Sequence, residues 1–149
     1  MSDAAQDHRR PASEAGFTLL ELMVVIVILG LLATVVMMNV LPSQDRAMKE
    51  KARADVAVLE QALDSYRLDN LAYPTPEQGL QALVSPPAGL ARADRYRDGG
   101  YVRRLPQDPW GNPYQYAVPG EHGRLDVYSF GADGRKGGEG DDADIGNWS

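Results

Sequence analysis

The chain contains no cysteine. Disulfides and thiolate metal sites are therefore excluded, and a small domain outside the cytoplasm would need some other staple for its core. That absence does not fix the compartment. Histidine is nearly missing too: a zinc site would have to combine His8 and His122 with carboxylates, which is a poor ligand set. An excess of positive charge is also absent. With a formal net charge of -6 the chain lacks the field that nucleic-acid backbones require. Arg92, Arg95, Arg97, Arg103 and Arg104 are interleaved with acids, glycines and tyrosines, so they form no basic run. No nucleic-acid partner is expected. Catalytic groupings are missing as well. The serines are isolated, His122 lies in a turn with no nucleophile beside it, and no phosphate-cradling glycine loop precedes a helix. The chain is not expected to be an enzyme.

What is present begins with one long apolar run. Residues 17–41 read FTLLELMVVIVILGLLATVVMMNVL, with Glu21 as the single charge. A bilayer-spanning helix needs about 20 such residues, and lipid leaves the backbone no outside partners, so the run is expected to be helical. A secretory signal peptide does not fit. Its apolar region is shorter, about 7–15 residues, and it closes on a small-x-small cleavage site. A twin-arginine signal at Arg9-Arg10 fails because Pro11-Ala12-Ser13-Glu14 is not apolar.

Glu21 is the residue in this run that asks for a reason. A carboxylate inside an apolar helix costs several kcal/mol unless it is paired or neutralised, which marks it as functional. The competing explanation is local: an acid in the first turn is favoured by the helix macrodipole and its side chain can reach water.

Pro42 offers no backbone N–H, so a bend or break is expected there, with Ser43-Gln44-Asp45 capping a restart. Beyond it Met48, Ala52, Val56, Leu59, Leu63 and Tyr66 recur at spacings of three or four, which is one helical face. Charged residues occupy the other positions, so this part needs a partner on one side only. Asn70 and Tyr73-Pro74-Thr75-Pro76 close the helix. A short helix is expected over 76–84 and a loop over 88–105. Turn residues at 108–113 lead into a strand over 114–118, and a second strand follows over 125–130. The fold expected is α+β: a long N-terminal helix with a small antiparallel sheet packed on its C-terminal half. If residues 1–16 are removed and the next 25 or so are spent in a membrane or filament core, about a hundred remain for one globular core.

The segment from residue 131 to 144 has no periodicity. It sets Asp133, Glu139, Asp141, Asp142 and Asp144 among glycines. Glycine lets carbonyls turn toward a common centre and aspartates add hard oxygens on short stems, which is the chemistry calcium uses. A solvated acidic loop is the alternative. The EF-hand spacing is not met, and a single partial copy of the nonapeptide calcium repeat over 137–145 is coincidental where a stack is needed.

Gly16-Phe17-Thr18-Leu19-Leu20-Glu21-Leu22 resembles the leader junction of type IV pilins and pseudopilins. The resemblance implies that a prepilin peptidase cuts between Gly16 and Phe17 and methylates the new amine, leaving the apolar helix in the product. In a filament, Glu21 of one subunit would then meet the Phe17 amine of a neighbour. Three further blocks follow in order: Tyr73-Pro74-Thr75-Pro76-Glu77-Gln78-Gly79-Leu80, then Asp108-Pro109-Trp110-Gly111-Asn112-Pro113-Tyr114, then Gly131-Ala132-Asp133-Gly134 with Asp144-Ile145-Gly146-Asn147-Trp148. Together they resemble the major pseudopilins of type II secretion, the general secretion pathway protein G family. That likeness implies a pilin-like fold with a calcium-binding C-terminal loop, anchored by one pass in a bacterial inner membrane with its globular domain, residues 42–149, in the periplasm. It implies a homopolymer working with minor pseudopilins, an inner-membrane assembly platform and exported proteins. It also implies calcium held by Asp133 and Asp144, with Asp141 or Asp142 in a third position and the carbonyl of Phe130 as a backbone ligand. The alternative is an adhesive, motility or DNA-uptake type IV pilin, many of which close the C-terminal region with a disulfide that this chain cannot form. The basic residues flanking the apolar run do not choose an orientation by the positive-inside count; a cytoplasmic N-terminus follows from the resemblance.

Overall fold

Helix propensity and apolar periodicity over residues 19–70 produce the dominant element of the computed structural model, which describes residues 16–149, the side chains at 39, 41 and 42 aside. Helix α1 spans Leu19–Asn70. Its start carries a cap: Thr18 Oγ1 accepts the Glu21 amide at 3.1 Å, which satisfies one of the four orphan donors of the first turn. Of the expected leader, residues 1–16, all but Gly16 lie outside the described residues.

The helix does not break at Pro42, and Ser43-Gln44-Asp45 is internal to it and caps no restart. This corrects the expected break and restart. A proline inside a helix costs about 3 kcal/mol, and here helix-forming residues on both sides, with burial of the stripe that follows, outweigh it.

By its contacts the chain falls into two units, one ending at Val40 and one covering Leu41–Ser149. In the first, every residue from 16 to 38 is exposed, and the helix is long and apolar enough to cross a membrane. In the second, the helical stripe is buried as the spacing requires: Ala52, Val56, Leu59, Leu63 and Tyr66 are all 2% exposed or less, and Ala62 joins them. All but Ala52 pack in one core with Leu80, Ala82 and Leu83, with Val127 of the sheet, and with Tyr114 and Leu125 at the strand ends.

The helix expected over 76–84 is instead a capped turn followed by a 3-10 turn at Leu80–Leu83. Thr75 and Gln78 do form a reciprocal capping box, Thr75 N to Gln78 Oε1 at 3.0 Å and Gln78 N to Thr75 Oγ1 at 3.3 Å. Gly79, at φ 58°, then takes the backbone out of the helical region before a second turn can form. Residues 88–105 are loop apart from a 3-10 turn at Ala93–Arg95. Tyr96 and Tyr101 of this loop stack edge-on against each other and close on Tyr66 of α1.

The sheet is antiparallel and ordered β1-β2-β3, with β1 at Gln115–Ala117, β2 at Asp126–Ser129 and β3 at Ile145–Gly146. The first two strands match the expectation. The third, two residues long, does not follow from pattern and pairs Tyr128 with Gly146 and Ser129 with Ile145. Polar groups tie the sheet to α1. Asn147 Nδ2 donates to Glu60 Oε1 at 3.0 Å and Tyr114 Oη to Asp55 Oδ2 at 2.8 Å. Burial, then the bond to Asp55, pushes the Tyr114 hydroxyl far above the ordinary tyrosine range.

Candidate functional site

The two regions singled out in the sequence lie in different units. At the N-terminal end Gly16 and Phe17 precede the helix and are exposed, Phe17 at 86%. Glu21 sits in the first turn of α1. Thr18 and Glu21 have the spacing of a capping box, a pattern legible in the sequence as Thr-x-x-Glu. The first turn is thus fixed by Thr18, and no carboxylate partner for Glu21 is found among the described residues. The surrounding side chains are apolar and unburied, Leu19 at 79% and Leu20 at 71% exposed. A carboxylate set in such a collar is suited to pairing with a cation brought by another molecule.

At the other end the acidic glycine loop leaves β2 through Phe130 and returns into β3. Its frame is built by a buried carboxylate that pattern reading placed only in a turn. Asp108 is 4% exposed. Its Oδ1 accepts the amides of Trp110 and Asn112 at 3.1 and 2.7 Å, and its Oδ2 accepts the Ser129 hydroxyl at 2.6 Å. Ser129 Oγ in turn accepts the Gly131 amide at 3.1 Å. The Asp-Pro-Trp-Gly-Asn turn therefore holds the first residue of the loop. Gly131 has φ 73°, and a Cβ there would lie 2.7 Å from the Ala143 carbonyl oxygen and 3.0 Å from that of Asp142. The outgoing and returning limbs touch backbone to backbone, which only glycine permits.

The five candidate ligands are distributed unevenly on this frame. Asp144 accepts the Gly137 amide on Oδ2 at 3.0 Å, while its Oδ1 is buried and has no hydrogen-bond partner. Asp133 Oδ1 accepts the Arg135 amide at 3.0 Å in a local turn. Asp142 is exposed and ends the 3-10 turn Gly140–Asp142. Asp141 turns toward α1, its Oδ1 2.5 Å from Lys49 Nζ. Phe130 is the junction residue before Gly131, its ring edge-on to Tyr128. Among the described residues no three His, Cys, Asp or Glu side chains gather closely enough to hold a metal on their own. What the loop offers a cation is therefore oxygen alone, with the buried Oδ1 of Asp144 unpartnered, a donor chemistry that suits calcium better than zinc.

A third polar centre, not visible in the sequence, closes the turn between β1 and β2. Asp126 is 3% exposed and accepts the amides of Glu121 and His122, while His122 Nδ1 lies 3.0 Å from its Oδ2. Burial pushes this carboxyl up, and the His122 ring and the two amides more than reverse that, leaving it below the ordinary aspartate range. The His122 ring stacks on Trp148 at 3.8 Å. Lys136 of the acidic loop bridges to Glu121 at 2.8 Å.

A long helix with an unburied apolar start, carrying a small sheet on its second half, defines a pilin-like α+β protein, and residues 11–37 match the prokaryotic N-terminal methylation motif. Residues 39–148 match the family described as type II secretion system (T2SS), protein G, and the chain belongs to that family. It is 54% identical to the type II secretion system core protein G of Vibrio cholerae over 141 residues, covering 95% of this chain and 96% of that one. With the protein of the same name from Pseudomonas aeruginosa it shares 52% over 135 residues, 91% and 95% of the two chains. The crystal structure of the major pseudopilin from the type 2 secretion system of enterohaemorrhagic Escherichia coli superposes with a TM-score of 0.63 at 49% identity, covering 74% of this chain and 94% of that one.

Proposed function

We propose that this chain is the major subunit of a type II secretion pseudopilus, a filament built from many copies that drives folded proteins across the outer membrane. The observation that carries it is the unburied apolar helix beginning at a Gly16-Phe17 junction in a chain of the protein G family. In this reading a prepilin peptidase removes residues 1–16 and methylates the Phe17 amine, and the helix anchors the subunit in the inner membrane until it joins the filament. The globular part, residues 42–149, lies in the periplasm. Glu21 pairs with the Phe17 amine of a neighbouring subunit, which offsets the burial of both charges and sets axial register. Minor pseudopilins and an inner-membrane platform are the expected partners. A strain lacking this chain is expected to lose exoprotein secretion and keep twitching motility. The reverse outcome would assign it to type IV pili.

The acidic loop is read as a calcium site held by Asp144 and Asp133, with Asp142 and backbone carbonyls including Phe130 completing the shell. Bound calcium would supply the cross-link that a cysteine-free domain lacks, tying the loop to the end of β2. Asp144 contributes a buried oxygen already free of other bonds. Thermal unfolding of the full-length protein in detergent is the check. Chelation is expected to lower the midpoint by about 10 °C, the shift for a ligand at a hundredfold excess over its Kd on a domain of about a hundred residues. A midpoint that ignores chelator overturns the site.

A further inference from the structure

We propose that Lys49 and Asp141 form a clamp that seats the acidic loop on α1, making Asp141 a positioning residue of the loop and not one of its calcium ligands; the second half of this statement rests on the calcium reading above. The pair is unlike the other lysine and arginine ion pairs of the described residues. Lys49 is 25% exposed, whereas Lys51, Arg53, Arg97 and Lys136 in their pairs are 53–65% exposed. Two of those others are neighbours along the helix, at i,i+3 and i,i+4, but Lys49 joins α1 to a loop near the far end of the chain.

Residue 141 is also held from a second direction. Its carbonyl accepts the Ala132 amide at 3.1 Å, which closes the returning limb of the loop on the outgoing one. It lies in the 3-10 turn Gly140–Asp142, whose bonds run from the Asp142 amide to Glu139 O and from the Ala143 amide to Gly140 O. The backbone of residue 141 therefore fastens the loop to itself, and its side chain fastens the loop to the helix. The carboxylate oxygen left buried and unpartnered belongs to Asp144, three residues on.

Charge separates the two roles of Asp141. If it were a ligand, the Lys49 ammonium at 2.5 Å would repel the incoming dication and compete for the same oxygens, and removing it would tighten calcium binding. If Asp141 is a clamp, removing Lys49 frees the loop and weakens binding. The two readings predict opposite signs.

The test is calcium titration of the full-length protein in detergent, with hydrogen exchange of the loop amides measured separately in chelator. Lys49→Ala and Asp141→Asn are each expected to weaken calcium binding by about two- to fivefold, the range for a partly exposed pair. The double variant should be no worse than either single one. Lys49→Arg, and the swap Lys49→Asp with Asp141→Lys, should bring affinity back. In chelator the Ala132 amide should exchange faster by a similar factor in both single variants. Tighter calcium binding in Lys49→Ala would overturn the positioning role. So would a loss beyond tenfold in Asp141→Asn with Lys49→Ala silent. Unchanged Ala132 exchange would overturn the clamp itself. A wild type that binds no calcium would refute the calcium reading, while the exchange measurement would still decide whether the clamp exists.

Discussion

The two stretches of α1 obey the same backbone geometry and have opposite fates. From residue 16 to 38 every side chain is exposed, including Ile26 at 61% and Val36 at 58%. From Ala52 to Tyr66 one side chain in every three or four is almost wholly covered. The second stretch is amphipathic because its partner is encoded in the same chain: the sheet and the turn at Leu80–Leu83. The first is apolar nearly all round and finds no such partner among the described residues; in the proposed function its partners are lipid, or other copies of itself. An exposed apolar surface of this extent is an interaction surface, so on the proposed function this part of the helix is stabilised between molecules and the other within one.

Three substitutions put pressure on that contrast. The largest effect is expected from Glu21→Ala, which should leave cleavage and membrane insertion intact and abolish filaments, scored by shearing and electron microscopy. Normal filaments would show that the first stretch needs no charge pairing. Next comes Leu63→Ala, which removes a fully buried side chain and should cost about 2–5 kcal/mol in urea unfolding of the full-length protein in detergent. Ile28→Ala, half exposed in the apolar stretch, should leave the same transition unmoved. A shift in the second variant would mean that the two stretches unfold as one.

Below Leu63→Ala in size comes Asp126→Asn, expected to cost about 1–3 kcal/mol by disturbing the bonds to the Glu121 and His122 amides. This carboxyl titrates lower when folded than when unfolded. It therefore adds stability that is fully present above the ordinary aspartate range, near pH 4, and lost as pH falls through the lower folded value. Wild type should lose this increment in acid and the Asn variant should not, measured as unfolding midpoints between pH 2 and 6.

Much of this was legible because it depends on periodicity. The stripe from Ala52 to Tyr66 is one face of a helix wherever it occurs, and the run from Phe17 has too few polar groups to be anything but helix. Pro42 misled because its cost is local while the burial that outweighs it comes from residues far along the chain. The helix expected after Thr75 misled in the opposite way: the capping box formed, and Gly79 ended it within one turn. β3 carries no readable pattern at two residues, being a strand only because Tyr128 and Ser129 offer it a ladder. Asp108 reads as a turn residue in the sequence and Asp126 as one position of the strand over 125–130. Their burial follows from donors that converge only once the chain has folded. Of the loop acids, pattern and likeness named five positions, but that Asp141 faces Lys49 while Asp144 faces inward is a matter of tertiary placement.

The stack of His122 on Trp148 has an optical consequence. The chain has two tryptophans, Trp110 in the turn held by Asp108 and Trp148 between the His122 ring and Tyr128. Neither lies on α1. Tryptophan emission from this protein therefore arises at the sheet end and none of it on the helix itself: Trp148 reads the closure of the last strand, and Trp110 the turn from which the acidic loop is hung. One cuvette can follow the loop while the filament-forming helix stays dark.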